Sequence, residues 1–265
     1  MGSPTISLSE RETAVDKDAR KGREAFRVMH FRIEKWNAWA PGLESPDDWR
    51  AWCRAPVPVV DAQQQPDVGF LPAMHRRRLS RLARMVFHAA WPLAEPHAAL
   101  PLVFASRHGE TPRTLALLSD LGRDDPLSPT QFSLSVHNAI IGQWSILRSD
   151  TSEMTALAAE GDGLEHAVLE ACTLLDDGAP AVLLVIAEET PPDLYAPYID
   201  DVPFPYALAL LLTPGDDWSL QWRAGQGQRT DWPHAVNLLR TLVTGQTPLE
   251  HHWKNRLWIW SHNKR

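Results

Sequence analysis

The run Ala181-Val-Leu-Leu-Val-Ile-Ala187 decides the fold class of this chain, because it is apolar at every position. A strand with one face in water alternates apolar and polar residues, whereas an unbroken apolar run is typical of a strand covered on both faces. We therefore predict an inner strand here, in a sheet that has helices on both sides.

Helices and strands alternate on either side of this run. Apolar spacing and stop signals predict strands over residues 30–36, 102–106, 153–159, 207–212, 219–223 and 256–260. They predict helices over residues 75–91, 111–121, 128–147, 164–175 and 232–243, with Pro92 ending the first. Residues 41–74 are expected to be an irregular connection. This order favours an α/β layered domain with a mixed central sheet.

Length and composition set limits on the function. The chain has 265 residues, 44% of them apolar, and a net charge of −7. Residues 1–28 are polar and are predicted to be a flexible leader, so that one domain spans residues 29–265. The charge gives no reason to expect nucleic-acid binding. The apolar runs are too short to span a membrane. Cys53 and Cys172 form no disulfide framework, which favours a cytoplasmic protein.

Several well-known site motifs are absent. The sequence has no complete GxGxxG, no GxxxxGK[ST] and no GxSxG, so neither nucleotide binding nor a hydrolase elbow is supported. His251, His252 and His262 have no carboxylate or cysteine at ligand spacing and are expected to be solvated. We predict no metal and no cofactor. The tryptophans, which cluster at Trp36/Trp39, Trp49/Trp52 and Trp258/Trp260, are interpreted mainly as core.

Five stretches, in order and at matching spacing, together resemble a known family, although none is specific alone. They are Trp36-Asn-Ala-Trp-Ala-Pro-Gly42, Pro72-Ala-Met-His-Arg-Arg-Arg-Leu-Ser-Arg-Leu-Ala-Arg-Met85, Phe104-Ala-Ser-Arg-His-Gly-Glu110, Ser135-Val-His-Asn-Ala139 and Arg256-Leu-Trp-Ile-Trp260. The chain resembles the ketoacyl-synthase-like N-terminal domain family, which includes short chain-length-factor subunits of aryl-polyene (xanthomonadin-like) systems.

The resemblance implies one half of a thiolase-type fold. In a complete ketosynthase, the first half carries a nucleophilic cysteine at a strand–helix elbow and the second half carries two histidines. The matching elbow here is Ala159, Glu160, Gly161, Asp162 and Gly163, which places Glu160 at the cysteine position. A condensing enzyme needs a thiolate, and a carboxylate does not perform that acyl transfer. The histidines also have no counterpart, so a non-catalytic role is implied.

The leading hypothesis is therefore a chain-length-factor-like subunit that pairs with a full-length ketosynthase and helps to shape the acyl tunnel. An acyl carrier protein is the second implied partner. Two alternatives stay open. One is a structural scaffold without influence on chain length, and the other is an independent acyltransferase or hydrolase that uses Ser152, His137 or Glu160.

Individual residues have competing interpretations. Glu160 is either a carboxylate stabilised by the helix start or part of an interface or tunnel. His137 and Asn138, predicted on a helix before the elbow, are either satisfied polar residues of the core or part of the dimer seam. The basic cluster Arg76, Arg77, Arg81 and Arg84 is either a solvated face or a contact for the carrier protein or the partner subunit.

Overall fold

The structure is a computed structural model, and it describes residues 28–60 and 63–263. Apart from Val28, the predicted leader lies outside the described residues. The strands are β1 (Met29–Trp39), β2 (Leu102–Ala105), β3 (Met154–Leu157), β4 (Val182–Glu188), β5 (Tyr206–Ala224), β6 (Leu249–Trp253) and β7 (Arg256–His262). The helices are α1 (Pro46–Arg54), α2 (Ala73–Arg76), α3 (Arg81–Ala94), α4 (Thr111–Gly122), α5 (Pro129–Ser133), α6 (Ala139–Arg148), α7 (Gly163–Asp176) and α8 (His234–Thr244).

The strands form one mixed sheet of seven, in the order β3-β2-β4-β5-β7-β6, with β1 paired to β5. β2 pairs in parallel with β3 and β4, whereas the pairs that involve β5, β6 and β7 are antiparallel. The predicted run became β4, which is buried at each position. Val182, Leu184 and Ile186 pack into one core cluster. Leu183 and Val185 pack into the cluster on the other face.

Helices cover both faces, as predicted. α7 and α8 contribute to the cluster with Val182, and α3 and α6 contribute to the cluster with Leu183. Trp39, Trp49, Trp144, Trp258 and Trp260 are among the largest fully buried side chains, which confirms that the tryptophans mainly build the core. Among the described residues, no helix combines the length and the apolar character that a membrane span requires.

The connection over residues 41–74 was wrongly predicted to be irregular, because it contains α1. Ser45 Oγ accepts a hydrogen bond from the Asp48 backbone N–H at 3.2 Å, and Asp48 Oδ2 accepts one from the Ser45 N–H at 2.8 Å. This reciprocal pair is a capping box, which satisfies amides at the helix start. Trp49 and Trp52 then bury their side chains on the core side of the helix.

The predicted helix over residues 75–91 is two helices. α3 begins after Ser80, whose Oγ accepts from the Ala83 N–H at 3.0 Å. Pro92 does not end α3, because the helix continues to Ala94. Proline leaves the carbonyl four residues earlier without its helical donor. Asn37 Nδ2 lies 3.4 Å from that carbonyl of His88 and 3.0 Å from the carbonyl of Ala89, which supplies a donor from β1.

The predicted helix over residues 128–147 is also interrupted, between α5 and α6. Ser135 Oγ donates to the Phe132 carbonyl at 2.9 Å, a local bond that competes with helix continuation. His137 and Asn138 therefore lie in the connecting turn and not on a helix.

The two strands predicted over residues 207–212 and 219–223 are one strand, β5. Its register against β1 jumps from Trp218 to Thr213 between Phe31 and Arg32, so residues 214–217 bulge outward. Pro214, which has no N–H to donate, is tolerated at such a bulge. The sequence patterns predicted no strand at β6.

Candidate functional site at the strand–helix elbow

The elbow joins β3 to α7. β3 ends at Leu157 and α7 begins at Gly163, and Asp162 lies at the position just before the helix. Four of the five predicted residues, 159–162, lie in this turn, and Gly163 is the first residue of α7. The hairpin of β6 and β7 packs against it, and three carboxylates of the elbow and first helical turn contact the hairpin: Glu160, Asp162 and Glu165.

Glu160 contacts the turn of the hairpin. Its carboxylate forms an ion pair with Lys254 Nζ and accepts a hydrogen bond from Trp253 Nε1 at 2.9 Å. These donors hold the pKa of Glu160 at about 2. The side chain keeps 46% of its surface exposed and lies three residues before α7. The hairpin, and not the start of the helix, therefore supplies its partners.

Asp162 is the buried contact of the three. Its side chain is 0% exposed and is held in a bidentate pair by Arg256, with Nε at 2.6 Å and Nη2 at 3.0 Å. Trp258 Nε1 donates a further hydrogen bond to the same carboxylate at 3.0 Å. Bidentate arginine pairs are strong and directional, so Asp162 fixes β7 on the elbow.

Glu165 lies on the first turn of α7 and is fully buried. It binds His234 Nδ1 at 2.8 Å and His251 Nδ1 at 2.6 Å, and it accepts from Trp260 Nε1 at 3.1 Å. Burial alone raises the pKa of a carboxyl, but the two imidazoles bring the pKa of Glu165 below its usual value. His251 was wrongly expected to be solvated, since it is 0% exposed.

The indole of Trp253 lies directly on the elbow backbone. A Cβ placed on Gly161 would lie 2.2 Å from Trp253 Cζ3, so glycine is the residue that permits this approach. Arg107 and Arg229 lie 5.5 and 5.6 Å from the indole, in cation–π contact. The indole is therefore held over the turn.

A cavity of about 250 Å³ lies beside the elbow. Its wall includes Gly161 and Trp253 from the elbow region, Glu188 and Tyr206 from the sheet, and His234 from the start of α8. Glu188 accepts from Ser106 Oγ at 3.1 Å and also from the Arg107 N–H. Burial raises the pKa of Glu188 to about 7 despite these donors.

Glu188 should make stability depend on pH. Its pKa is about 7 in the fold and near 4.5 in the unfolded chain, so the folded state binds more protons between these values. Stability is then expected to fall as pH rises through that window, by roughly 3 kcal/mol at about 1.4 kcal/mol per unit. The Glu188→Gln variant removes this titration.

The test measures urea unfolding of both proteins at about pH 5 and about pH 8. The variant should become more stable relative to the wild type at the higher pH. Titrations that both proteins share cancel in the difference between their unfolding free energies. One of these is the titration of His251, whose pKa is lowered by burial. A difference that does not change with pH would contradict the assignment.

The other predicted site residues lie apart from the elbow contacts. His137 Nε2 hydrogen-bonds the Ser106 backbone oxygen at 2.8 Å, and Asn138 is exposed. Ser152 precedes β3 whereas Glu160 follows it, so the two stand at opposite ends of that strand. A hydrolase site that combines them has no support in this geometry.

Most arginines of the basic cluster hydrogen-bond backbone carbonyls of this chain. Arg76 donates to the Gly69 carbonyl at 3.2 Å, Arg84 donates to the Arg76 carbonyl at 2.7 Å, and Arg81 is buried and donates to the Gln64 carbonyl at 3.1 Å. Arg77 is exposed. A contact of Arg77 with a partner stays a prediction.

Sequence reasoning missed the residues that hold the elbow. They are His234, His251, Trp253, Lys254, Arg256, Trp258 and Trp260. Arg256, Trp258 and Trp260 stand at alternate positions of β7 and so share one face of the strand. This spacing was a usable signal for a shared contact surface, but it did not identify the carboxylates opposite.

Comparison with known proteins places the fold. A family model described as beta-ketoacyl synthase, N-terminal domain, matches residues 49–261. A solved complex of a ketosynthase (ApeO) with its chain length factor (ApeC) from Xenorhabdus doucetiae matches with 29% identity and a TM-score of 0.80. That match covers 88% of this chain and 100% of that chain. No curated protein sequence matches the chain.

More distant structures share the architecture. A beta-ketoacyl synthase from Burkholderia phymatum STM815 is 12% identical, with a TM-score of 0.54 over 83% of this chain and 71% of that chain. The ishigamide ketosynthase/chain length factor is 14% identical, with a TM-score of 0.55 over 74% of this chain and 67% of that chain. The thiolase-like half fold is thus confirmed, and the chain belongs to the beta-ketoacyl synthase N-terminal domain family.

Proposed function

We propose that this chain is a non-catalytic subunit of the chain-length-factor type, which pairs with a full-length ketosynthase and helps to shape the acyl tunnel. The similar structure from Xenorhabdus doucetiae is a complex of a ketosynthase with its chain length factor. The match covers 100% of the matched chain in that complex. The system is proposed to be of the aryl-polyene kind.

The observation that carries the proposal is the covered elbow. If Glu160 stands at the position of the ketosynthase nucleophile, that position holds a carboxylate with a pKa of about 2, paired with Lys254. Acyl transfer needs a nucleophile that can form and break a thioester, and an ionised carboxylate paired with a lysine is poorly suited to this task. Trp253 also lies directly against Gly161 and so covers the turn.

Pairing is supported by exposed apolar side chains on consecutive helices, the last of which lies beside an unpaired strand edge. We define the α4–α6 face as Leu118, Leu121, Phe132, Val136 and Ile146, whose exposures range from 43% to 73%. α6 packs against β3, the last strand of the sheet at this end. Within the described residues, β3 pairs with β2 alone. Apolar patches and open strand edges are typical of protein interfaces.

A contact with an acidic acyl carrier protein is a further part of the proposal. Because Arg76, Arg81 and Arg84 bind backbone carbonyls of this chain, the proposed contact narrows to the exposed Arg77. Opposite charge would steer the two proteins together and make their association depend on salt.

The test reconstitutes the chain with its ketosynthase. We expect the two to co-purify as a heterodimer and to elongate malonyl-loaded carrier protein. After the partner's nucleophilic cysteine is replaced by alanine, the same pair should lose elongation entirely, although the heterodimer persists. Elongation that survives this replacement would show that the chain carries its own nucleophile, and a chain that ignores the ketosynthase in size-exclusion chromatography would refute the pairing.

Product length separates tunnel shaping from a scaffold role. The proposal includes the cavity beside the elbow as part of the tunnel. Ile186 lines this cavity and Val185 faces the opposite core cluster, so Ile186→Ala and Val185→Ala are matched truncations of one strand. We expect the pair with Ile186→Ala to make longer products and the pair with Val185→Ala to make unchanged products. Unchanged product length in both would favour the scaffold alternative.

A further inference from the structure

Glu165, His234 and His251 form a compact buried cluster from three elements, α7, α8 and β6. The side chains of Glu165 and His251 are 0% exposed, and that of His234 is 4% exposed. One potential ligand atom from each residue lies within 4.8 Å of the others. This cluster is separate from the proposed pairing surface and from Glu160.

Two polar atoms of the cluster are unsatisfied. Nε2 of His234 and Nε2 of His251 are both buried, and neither has a hydrogen-bond partner among the described residues. Each of these nitrogens can therefore carry the ring proton when Nδ1 makes another bond. The rings stack with their centroids 4.0 Å apart and their planes 18° apart. Both rings use only Nδ1, on the side of the shared carboxylate.

The donor set suits a particular class of ion. Two imidazole nitrogens and one carboxylate oxygen are ligands for zinc and its first-row neighbours, whereas calcium and magnesium prefer oxygen alone. Trp260 Nε1 donates to Glu165 Oε1 at 3.1 Å. Such outer hydrogen bonds orient carboxylates that bind metals. The cluster therefore has both the ligands and the support that a metal site needs.

We propose that Glu165, His234 and His251 bind one divalent transition-metal ion of the zinc class, through a carboxylate oxygen and the two Nδ1 atoms. In the metal-free chain, each Nδ1–H donates to Glu165. On binding, the proton of each neutral imidazole moves to its unused Nε2, which frees the Nδ1 lone pair without net proton release. Without metal, His234 Nδ1 lies 2.8 Å from Oε2 of Glu165 and His251 Nδ1 lies 2.6 Å from Oε1. With metal, each Nδ1 would stand about 3.3 Å from the one ligating oxygen, as bond lengths of about 2.0–2.1 Å require.

The cluster adjoins the cavity and joins three elements. His234 lines the cavity beside the elbow, so an ion in the cavity would meet the cluster at this residue. A bound ion would join α7 to α8 and β6 near the elbow.

The first measurement uses the untagged full-length chain. Elemental analysis of the purified protein should find about one zinc-class ion per chain. After the protein is stripped with a chelator, Co²⁺ should bind with the visible absorption of a coordinated ion and raise the unfolding temperature, and Zn²⁺ should displace it. A chain that retains no metal, and whose absorption and unfolding temperature do not respond to added Co²⁺, would overturn the proposal without any variant.

The second measurement uses matched histidine variants. His251→Gln and His234→Gln should each weaken Co²⁺ binding at least about tenfold. His252→Gln changes the neighbouring histidine of β6, outside the cluster, and should leave binding unchanged. Circular dichroism checks that each variant is folded. Equal affinity in all three variants would place the metal elsewhere and reject this site.

Discussion

Replacement of Asp162 by alanine is expected to destabilise the chain by about 3 kcal/mol, near the lower end of the cost of breaking a buried ion pair. The carboxylate is fully buried and satisfies both Arg256 and Trp258 Nε1. Without it, a guanidinium that keeps only 27% of its side chain in water loses its bidentate partner and retains only Glu160, at 3.8 Å. An indole N–H is also buried without an acceptor. We expect a free-energy cost near the lower end of the range because Arg256 is partly solvated.

Urea unfolding of the purified chain measures this loss, and Glu160→Ala is the matched control. Glu160 lies on the same elbow and contacts the same hairpin, but its side chain is 46% exposed, so its removal should matter much less. Asp162→Asn keeps one acceptor and should fall between the two. The role assigned to Asp162 fails if its alanine variant unfolds no more easily than the Glu160 variant.

The Phe132→Asp/Ile146→Asp double variant is expected to abolish the heterodimer. Both residues belong to the α4–α6 face, where their exposures are 62% and 73%. Central apolar anchors of an interface contribute about 2 kcal/mol or more each, so losing two and burying two charges should weaken association at least about a thousandfold. The isolated chain should fold as before, since neither side chain belongs to the core.

Size-exclusion chromatography and a titration of the ketosynthase measure the effect. Val60→Asp is the control. Val60 is 85% exposed, and its neighbour Val59 packs against the core cluster on the opposite face of the sheet from α6. Retained pairing by the double variant would show that the ketosynthase binds elsewhere.

The parts of the fold that local patterns govern were predictable. The apolar run that became β4 and the periodic segment that became α7 need only their own sequence to be recognised. Errors arose where one hydrogen bond decided the outcome. Ser45 and Asp48 start α1 within a stretch rich in proline, and Ser80 divides two helices whose apolar pattern runs on without a break.

The site was less predictable because its contacts are distant in sequence. The elbow was located from the resemblance, but its partners lie 69 to 96 residues further along the chain. No local pattern predicts that Glu165 contacts His251 or that Trp253 lies on Gly161. Apolar periodicity predicts only which face of β7 is buried. The identity of the residues opposite is a property of the folded topology.

The hairpin contacts also set an order of events during synthesis. Asp162 and Arg256 are 94 residues apart, so a ribosome adding about 5–20 residues per second makes the arginine roughly 5–20 s after the carboxylate. During that interval Asp162 and Glu165 have none of their partners from the hairpin, although their burial depends on those partners. The start of α7 therefore reaches its final packing late, after β6 and β7 have emerged and closed over it.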